Sequence, residues 1–231
     1  MKLKISGWMR DELARRKHLY RRLWAGEPLE RIPIDLRVSV PPKYTYRDQF
    51  CDADKQLEVA LSAALATWEL GPLTDAIPAM RPDVGCSCLA TAFGAEDHWG
   101  DDPNQTVYVR NKVITDLERQ IDQLQVPDPY QAGWLPEGLR RIRLFAQAGE
   151  GFIPVSLLDA AGGMNVAADL MGTTEALEAI YTAPEALHRL LDKIQHLFLA
   201  TIHAGIEAAG GEQNITTTDF LDAWFPEGFK G

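Results

Sequence analysis

The sequence has no long apolar run and few cysteines. No stretch approaches the roughly 20 apolar residues that a membrane-spanning helix needs, and the start, MKLKISGWMRDELARRKHL, lacks the apolar core of a signal peptide. Cys51, Cys86 and Cys88 are an odd number of cysteines without the spacing of a disulfide scaffold. We therefore expect a cytoplasmic protein that has no membrane partner.

An excess of positive charge is also absent. The chain has 23 Lys and Arg residues against 33 Asp and Glu residues, a formal net charge of −10. A nucleic-acid-binding protein would need clustered basic residues on one face, so we expect no nucleic-acid partner. The basic residues that do cluster are Arg15 to Lys17 and Arg21-Arg22. They lie on one predicted helix, where we expect them to form a solvated face.

Short apolar segments alternate with amphipathic ones along the chain. Strands are predicted at RIPIDLRV, LTDAIPAM, GFIPVSLLD and QNITTTDF, with an extended start to TVYVRNKVITDL. Helices are predicted at about Asp11 to Leu23, Leu57 to Trp68, Ile114 to Leu124, Pro136 to Ala148, Thr174 to Tyr181 and Pro184 to Ala209. This alternation is typical of a parallel sheet covered by helices.

No glycine-rich dinucleotide fingerprint follows any predicted strand, so a barrel is the natural alternative to a nucleotide-binding sheet. The expected fold class is α/β, of the (β/α)8 TIM-barrel type. A complete barrel typically takes about 250 residues, and only about four strand-helix units can be counted here. We expect one domain over residues 1–231, with residues 1–30 as a helical extension, that stops after about the fourth strand. Uncovered strand edges then predict self-association.

Four segments carry a resemblance to a known family. LYRRLWAGEPLERIPIDLR, AFGAEDHW, VPDP and ADLMGTTEALEAIYTAPEALHRLLDKI resemble, in the same order, landmarks of the uroporphyrinogen decarboxylase superfamily. Its members begin with a helix, a Gly-Glu-Pro-like turn and an Arg-x-Pro before the first barrel strand. The matching residues here are Gly26, Glu27, Pro28, Arg31 and Pro33.

The resemblance implies an enzyme whose active site lies at the carboxyl ends of barrel strands. Members either decarboxylate the acetate side chains of a porphyrinogen without a cofactor, or move methyl groups between corrinoids and thiols using zinc. The implied partner is a small molecule: a tetrapyrrole, a corrinoid or a methylated substrate. No cofactor is evident in this chain itself, and zinc and a corrinoid are expected only if the complete protein is a methyltransferase.

One departure from the family pattern bears on the reaction. The decarboxylases carry an Arg-Gln-Ala-Gly-Arg loop whose arginines hold substrate carboxylates. This chain has DLRVSVPPKY there, with Arg37 one place out of step and no second arginine. A methyltransferase-like activity is therefore the first prediction and porphyrinogen decarboxylation the alternative. An inactive fragment or a binding module is the second alternative.

Several residues are candidates for the site. Asp83 follows the second predicted strand, near a carboxylate essential in the decarboxylases, although a Pro-Asp pair also forms turns. Asp159 ends the strand GFIPVSLLD, where a barrel presents functional side chains, although an Asp there can also cap a helix. Arg37 is predicted either to bind a substrate carboxylate or to pair with Asp35 or a helix carboxylate.

The last predicted strand leads to further candidates. Asp219 is a catalytic candidate, Asp222 a substrate-binding candidate, and Trp224 with Phe225 could wall a flat macrocycle; the acids could equally be solvated.

A closely spaced cysteine pair has some features of a metal site. Cys86 and Cys88 would put both sulfurs on one face of an extended segment, with His98 nearby. A zinc site needs three or four converging ligands, so we predict no metal site and expect buried, small apolar roles for these cysteines.

Overall fold

The computed structural model describes residues 3–216 and 224–226. The nine helices of the described residues are α1 Gly7–Trp24, α2 Tyr46–Cys51, α3 Ala53–Glu69, α4 Cys88–Ala92, α5 Leu117–Gln120, α6 Leu135–Gly149, α7 Gly163–Met171, α8 Thr173–Thr182 and α9 Pro184–Ala208. Two short 3-10 turns lie at Gly71–Leu73 and Glu212–Asn214. The chain divides into unit 1, residues 1–82, 141–157 and 206–231, and unit 2, residues 83–140 and 158–205.

The strands are much shorter than the apolar segments predict. The described residues form one two-stranded antiparallel sheet, in which β1 (Asp97–His98) pairs with β2 (Tyr108–Val109). Elsewhere, Val155 makes isolated parallel bridges to Met80 and Ile215. The fold is thus a mixed α/β fold, and a barrel is not shown within these residues.

The helix α1 is held on unit 1 by a buried arginine. Arg16 is fully buried and donates hydrogen bonds to the carbonyl oxygens of Ala76 at 2.5 Å and Gly71 at 2.8 Å. Its guanidinium also lies 4.4 Å from the ring centroid of Trp68 on α3. The expectation of a wholly solvated basic face on α1 is therefore wrong at Arg16, because backbone carbonyls and an aromatic face replace water around its charge.

The segment RIPIDLRV is extended but is not a strand. Its backbone bonds to residues 74–75: Leu36 N–H donates to Thr74 Oγ1 at 2.9 Å, and Asp75 N–H donates to the Ile34 carbonyl at 2.6 Å. Ile32, Ile34 and Leu36 are 85%, 50% and 50% exposed. The period-two pattern predicts a strand with one buried face, yet these apolar side chains are exposed. The Thr74 hydroxyl accepts a hydrogen bond that a neighbouring strand would otherwise accept.

The predicted helices differ most from the observed ones in unit 2. The predicted helix from Ile114 to Leu124 shrinks to the single turn α5, because the N–H groups of Val113 and Ile114 donate to the Leu170 carbonyl instead. The helix α7 was not predicted, since Gly162-Gly163 indicates a turn. It packs against α4 and α8 and buries Val166 and Leu170 completely. The predictions for α3, α6, α8 and α9 are confirmed to within a few residues.

Among the described residues, no helix is both long and apolar enough to cross a bilayer.

Candidate functional site

Three segments of unit 1 run side by side in parallel register. Ser156 N–H donates to the Met80 carbonyl at 3.0 Å, and Met80 N–H donates to the Pro154 carbonyl at 2.9 Å. On the other side, Thr216 N–H donates to the Val155 carbonyl at 3.0 Å. This spacing places Met80, Val155 and Ile215 opposite one another, so their side chains share one face.

The next residue on each segment belongs to the opposite face. A Cβ on Gly149 of α6 would lie 3.2 Å from Met80 Cε and 3.7 Å from Ile153 Cβ, which shows that the Met80 face packs on α6. Arg81, Ser156 and Thr216 therefore form a row that faces away from α6. We call these three residues the polar row.

The polar row combines a guanidinium with two hydroxyls at low exposure. Ser156 is 0% exposed and Thr216 is 6% exposed. Within the part of the chain that the structure describes, neither hydroxyl has a hydrogen-bond partner. A buried hydroxyl without a partner lowers the stability of the fold. The face of the three parallel segments that carries the polar row is therefore suited to a bound polar group.

A second group of polar residues lies in unit 2, around Cys86. Cys86 is exposed, and partial burial together with the charges of Asp159 and Asp169 raises the pKa of its thiol; Asp83 adds to the effect. Burial, followed by the charge of Asp97, raises the pKa of Asp169. Burial disfavours the charged form of both groups, and the charges of nearby carboxylates act in the same direction. We call Asp83, Cys86, Asp159 and Asp169 the acidic cluster.

A buried thiol supports the backbone at Asp159. Cys88 Sγ is completely buried and donates to the Asp159 carbonyl oxygen at 3.3 Å, and burial raises the pKa of the Cys88 thiol far above its usual value. Asp159 itself is 8% exposed. Next to Cys88, Ser87 Oγ donates to Asp97 Oδ1 at 2.6 Å. A buried thiol at the start of α4 thus supports the segment that carries Asp159.

The cysteine pair does not have the predicted arrangement. Cys86 is exposed whereas Cys88 is buried, so the expectation that both sulfurs share one face is wrong. The physical reason is that the chain turns at residues 86–87 and begins α4 at Cys88, which ends the extended backbone. The expected buried role holds for Cys88 but not for Cys86.

The predicted site residues fall into different surroundings. Arg37 makes two hydrogen bonds to Asp35, from Nε to Oδ1 at 2.9 Å and from Nη2 to Oδ2 at 3.1 Å. Asp83 Oδ1 accepts from Gly85 N–H at 2.7 Å, which is a turn contact, while the carboxyl belongs to the acidic cluster. Asp219 and Asp222 lie outside the described residues.

Trp224 lies in the core of unit 1. It is 6% exposed and clusters with Tyr20 and Ile77, and its carbonyl oxygen accepts from Trp24 Nε1 at 2.9 Å. Phe225 stacks on Trp24, with ring centroids 4.5 Å apart. These are the contacts of packed aromatic residues, and substrate binding by Trp224 stays a prediction.

Sequence reasoning missed the polar row and Asp169. Ser156 stands inside an apolar run, and Arg81 lies between two prolines, so neither pattern indicates a site. The alternation of strand residues could have placed Ser156 opposite Val155, but the register with residues 80 and 215 is a tertiary property. Asp169 lies on the helix that was not predicted.

Comparison with known proteins identifies the family. The chain matches the family model described as uroporphyrinogen decarboxylase (URO-D) over residues 15–223. The chain belongs to the URO-D family. The resemblance that four sequence segments indicate is therefore confirmed, and the mixed α/β fold agrees with it. None of the curated proteins compared with this URO-D family member matches it.

A solved structure supports the same fold. The URO-D chain is similar to a methyltransferase from Methanosarcina mazei, with a TM-score of 0.60 and 22% sequence identity. The match covers 85% of this chain and 56% of the methyltransferase. The chain therefore spans just over half the length of the structure it resembles.

Proposed function

We propose that the protein is a methyl-transfer enzyme of the URO-D superfamily, whose substrate binds at the carboxyl ends of the parallel segments. The pairing of Arg37 with Asp35 carries this proposal. A decarboxylase of the family would need arginines free to hold the carboxylates of a porphyrinogen, whereas two hydrogen bonds already commit this guanidinium to a neighbour.

The charge of the acidic cluster supports the same choice. After burial, the charges of Asp159, Asp169 and Asp83 contribute to raising the pKa of the Cys86 thiol. A porphyrinogen bears several carboxylates, and like charges at close range would repel it. A thiol, a corrinoid-bound methyl group or a small methylated compound would meet no such repulsion. The similarity to a structure named a methyltransferase agrees with this reading.

The positions of Asp83 and Asp159 along the chain support this proposal. They follow Met80 and Val155 by three and four residues along the chain, and substrates of parallel α/β folds bind beyond the carboxyl ends of the strands. In a methyl transfer, the bond from carbon to the donor breaks, a carbon-sulfur bond forms and the acceptor thiol loses its proton. We assign Asp159 the role of accepting that proton.

Zinc and a corrinoid belong to the methyltransferase branch of the family. Within the described residues, no group of three or more His, Cys, Asp or Glu side chains converges on one point as a metal ion requires. The described residues therefore do not fit a zinc site, and no step of the proposed reaction is assigned to either group.

Porphyrinogen decarboxylation is the second candidate function. It is favoured by the description of the matching family model and by Asp83, which stands near the carboxylate that the resemblance assigns to decarboxylases. In this alternative, Asp83 would stabilise the protonated pyrrole that precedes loss of carbon dioxide.

Two assays separate these functions. The full-length protein is incubated with methylcobalamin and a thiol, and separately with a porphyrinogen, and thioether and carbon dioxide are measured. We expect thioether formation that Asp159→Asn lowers by about 100-fold or more, the usual size of a general-base effect. Arg37→Gln and the exposed Glu178→Gln should leave the rate within twofold. Release of carbon dioxide from the porphyrinogen, abolished by Asp83→Asn, would favour the decarboxylase instead, and turnover of neither substrate would refute both.

A further inference from the structure

A cleft in unit 1 shares no lining residue with the polar row or the acidic cluster. It has a volume of about 470 Å³ and lies between one face of α1 and the turn at residues 150–152. The turn precedes the segment that contains Val155, so the cleft lies toward the amino end of the parallel segments. A volume of this size is in the range of small-molecule sites.

The cleft is lined by those cations of α1 that have no carboxylate partner among the residues that the structure describes. Elsewhere on the helix, Arg15 pairs with Glu12 and Asp75, and Arg22 pairs with Glu27. Arg10, Lys17 and Arg21 line the cleft, and among the described residues none of them has a carboxylate oxygen within 4.0 Å. Their spacing of seven and four residues places all three on one face of the helix.

Two of these cations lie over the same indole. Lys17 Nζ is 5.5 Å and the guanidinium carbon of Arg21 is 5.3 Å from the ring centroid of Trp224. Burial and the charge of Arg21 lower the pKa of Lys17. The aromatic face attracts both cations, yet their mutual repulsion remains. A bound anion would relieve that repulsion.

The remaining lining is mostly apolar. Leu13 and Ile5 are half-buried, and Phe152 is buried and packs on Trp68 at a centroid distance of 5.0 Å. Glu150 is the one carboxylate of the lining, and it is exposed on a backbone with a φ of 50°. A ligand suited to this cleft therefore has its negative charge at one end and an apolar group at the other.

We propose that this cleft is a second binding site, for a small organic anion with a phosphate or carboxylate next to an apolar group. Arg10, Lys17 and Arg21 hold the anionic end, and Leu13 and Phe152 contact the apolar end. The site does not depend on the reaction proposed for the protein, because it uses none of the residues assigned to that reaction.

Calorimetric titration with simple probes tests the proposal. Phenyl phosphate and benzoate represent the two kinds of anion, inorganic phosphate lacks the apolar group, and benzyl alcohol lacks the charge. We expect saturable one-to-one binding of phenyl phosphate or benzoate that weakens as salt increases. Inorganic phosphate and benzyl alcohol should each bind about tenfold or more weakly, a difference of about 1.4 kcal/mol.

Matched variants locate the site. Arg21→Gln and Lys17→Met should each weaken the tighter probe about tenfold, while Arg22→Gln, which removes the same charge from the same helix outside the cleft, should change it less than twofold. If Lys17→Met or Arg21→Gln fails to fold by circular dichroism, the exposed Arg10→Gln takes its place. Equal binding by Arg21→Gln and Arg22→Gln, equal affinity for benzyl alcohol, or no saturable binding of either anion would overturn the proposal.

Discussion

Asp75 accepts hydrogen bonds from both terminal nitrogens of Arg31, at 2.6 and 2.9 Å. The carboxyl is 1% exposed and also accepts from Arg15 at 3.1 Å and from the backbone N–H of Ile34 at 3.0 Å. A buried carboxylate with this many donors is stable as an anion. This one residue thereby joins α1 and the extended segment at residues 31–36 to the buried segment at residues 74–80.

The first prediction concerns the stability that Asp75 provides. Burial opposes its ionisation, but Arg31, the Ile34 N–H and Arg15 outweigh burial and lower its pKa from 3.8 to about 2. We expect Asp75→Asn to reduce the free energy of unfolding by about 1–3 kcal/mol at pH 7, because Arg31 loses its carboxylate partner and Arg15 loses one of its two. Arg31 and Arg15 are about half exposed, and the resulting screening favours the lower end of this range.

The stabilisation that Asp75 provides depends on pH in a direction that its lowered pKa determines. The folded pKa of Asp75 is below the unfolded one, so its contribution is present above about pH 4 and is lost as the pH falls toward 2. Urea unfolding at pH 7, 4 and 3 should show a difference between wild type and Asp75→Asn that shrinks with falling pH. A constant difference across these values would show that packing rather than charge explains the loss. Asp101→Asn, at an exposed position, is the control.

The sequence predicts this region only in part. The helical spacing of apolar residues identifies α3, α6 and α9 because long amphipathic helices depend on local pattern. The strand predicted at RIPIDLRV does not form. The local pattern could not show this, because strand pairing and burial depend on a neighbouring segment that is distant in the sequence. Similarly, Asp75 is one acid among many in the sequence, and only the tertiary contacts of Arg15 and Arg31 distinguish it.

In the candidate site too, local sequence patterns indicate some residues and tertiary contacts alone identify others. Asp83 and Asp159 stay candidates that the sequence indicates, because each follows a predicted apolar strand. The polar row could not be predicted, because it depends on the register of Arg81, Ser156 and Thr216 across three segments far apart in the chain.

The second prediction concerns a glycine of unit 2. Gly133 has a φ of 55°, and a Cβ built on it would lie 2.5 Å from the backbone nitrogen of Ala92 and 2.5 Å from Thr91 Oγ1. Gly26 has a similar φ of 67°, but a Cβ there would meet no atom within 4 Å. Gly26→Ala therefore isolates the strain of positive φ, whereas Gly133→Ala adds a clash with backbone that cannot move independently.

Thermal and urea unfolding compare the two variants. We expect Gly26→Ala to cost about 1 kcal/mol and Gly133→Ala to cost about 2 kcal/mol more, as for an overpacked core position. The Thr91 side chain contributes through its Oγ1, which accepts from Trp134 N–H at 3.2 Å. Equal losses in the two variants would mean that residues 91–92 shift easily and that the approach of Gly133 is not tightly constrained.

The third prediction concerns the charge state of Cys86. Burial and the charges of Asp159 and Asp169 raise the pKa of the Cys86 thiol, so little of it is thiolate at neutral pH. Alkylation requires the thiolate. At pH 7.5 we therefore expect iodoacetamide to label the exposed Cys51 faster than Cys86, and the buried Cys88 only after unfolding. Mass spectrometry of digested samples gives the three rates separately.

Removal of one carboxylate tests the cause of this slow labelling. Asp169→Asn should increase the rate at Cys86 severalfold, because each pKa unit lost increases the thiolate fraction about tenfold. Glu178→Gln, an exposed change on α8, should leave the rate at Cys86 unchanged. If neither variant alters the rate, steric protection rather than charge limits the reaction at Cys86, and the electrostatic argument against a porphyrinogen weakens with it.

The last prediction concerns the pair of Arg37 and Asp35. Arg37 and Asp35 are 27% and 32% exposed, and a partly solvated pair of this kind contributes about 0.2–1 kcal/mol. Arg37→Gln should therefore change stability by less than about 1 kcal/mol and leave the KM of the thiol-methylation assay within twofold. In contrast, an arginine that binds a substrate carboxylate would raise KM about tenfold or more on removal, because a charged hydrogen bond of about 1.5–3 kcal/mol is lost. The double variant Asp35→Asn with Arg37→Gln distinguishes a structural role of Arg37 from substrate binding. A purely structural pair gives a coupling energy between the two substitutions in urea unfolding but no coupling in the KM values. A large change in KM would instead indicate that Arg37 binds the substrate.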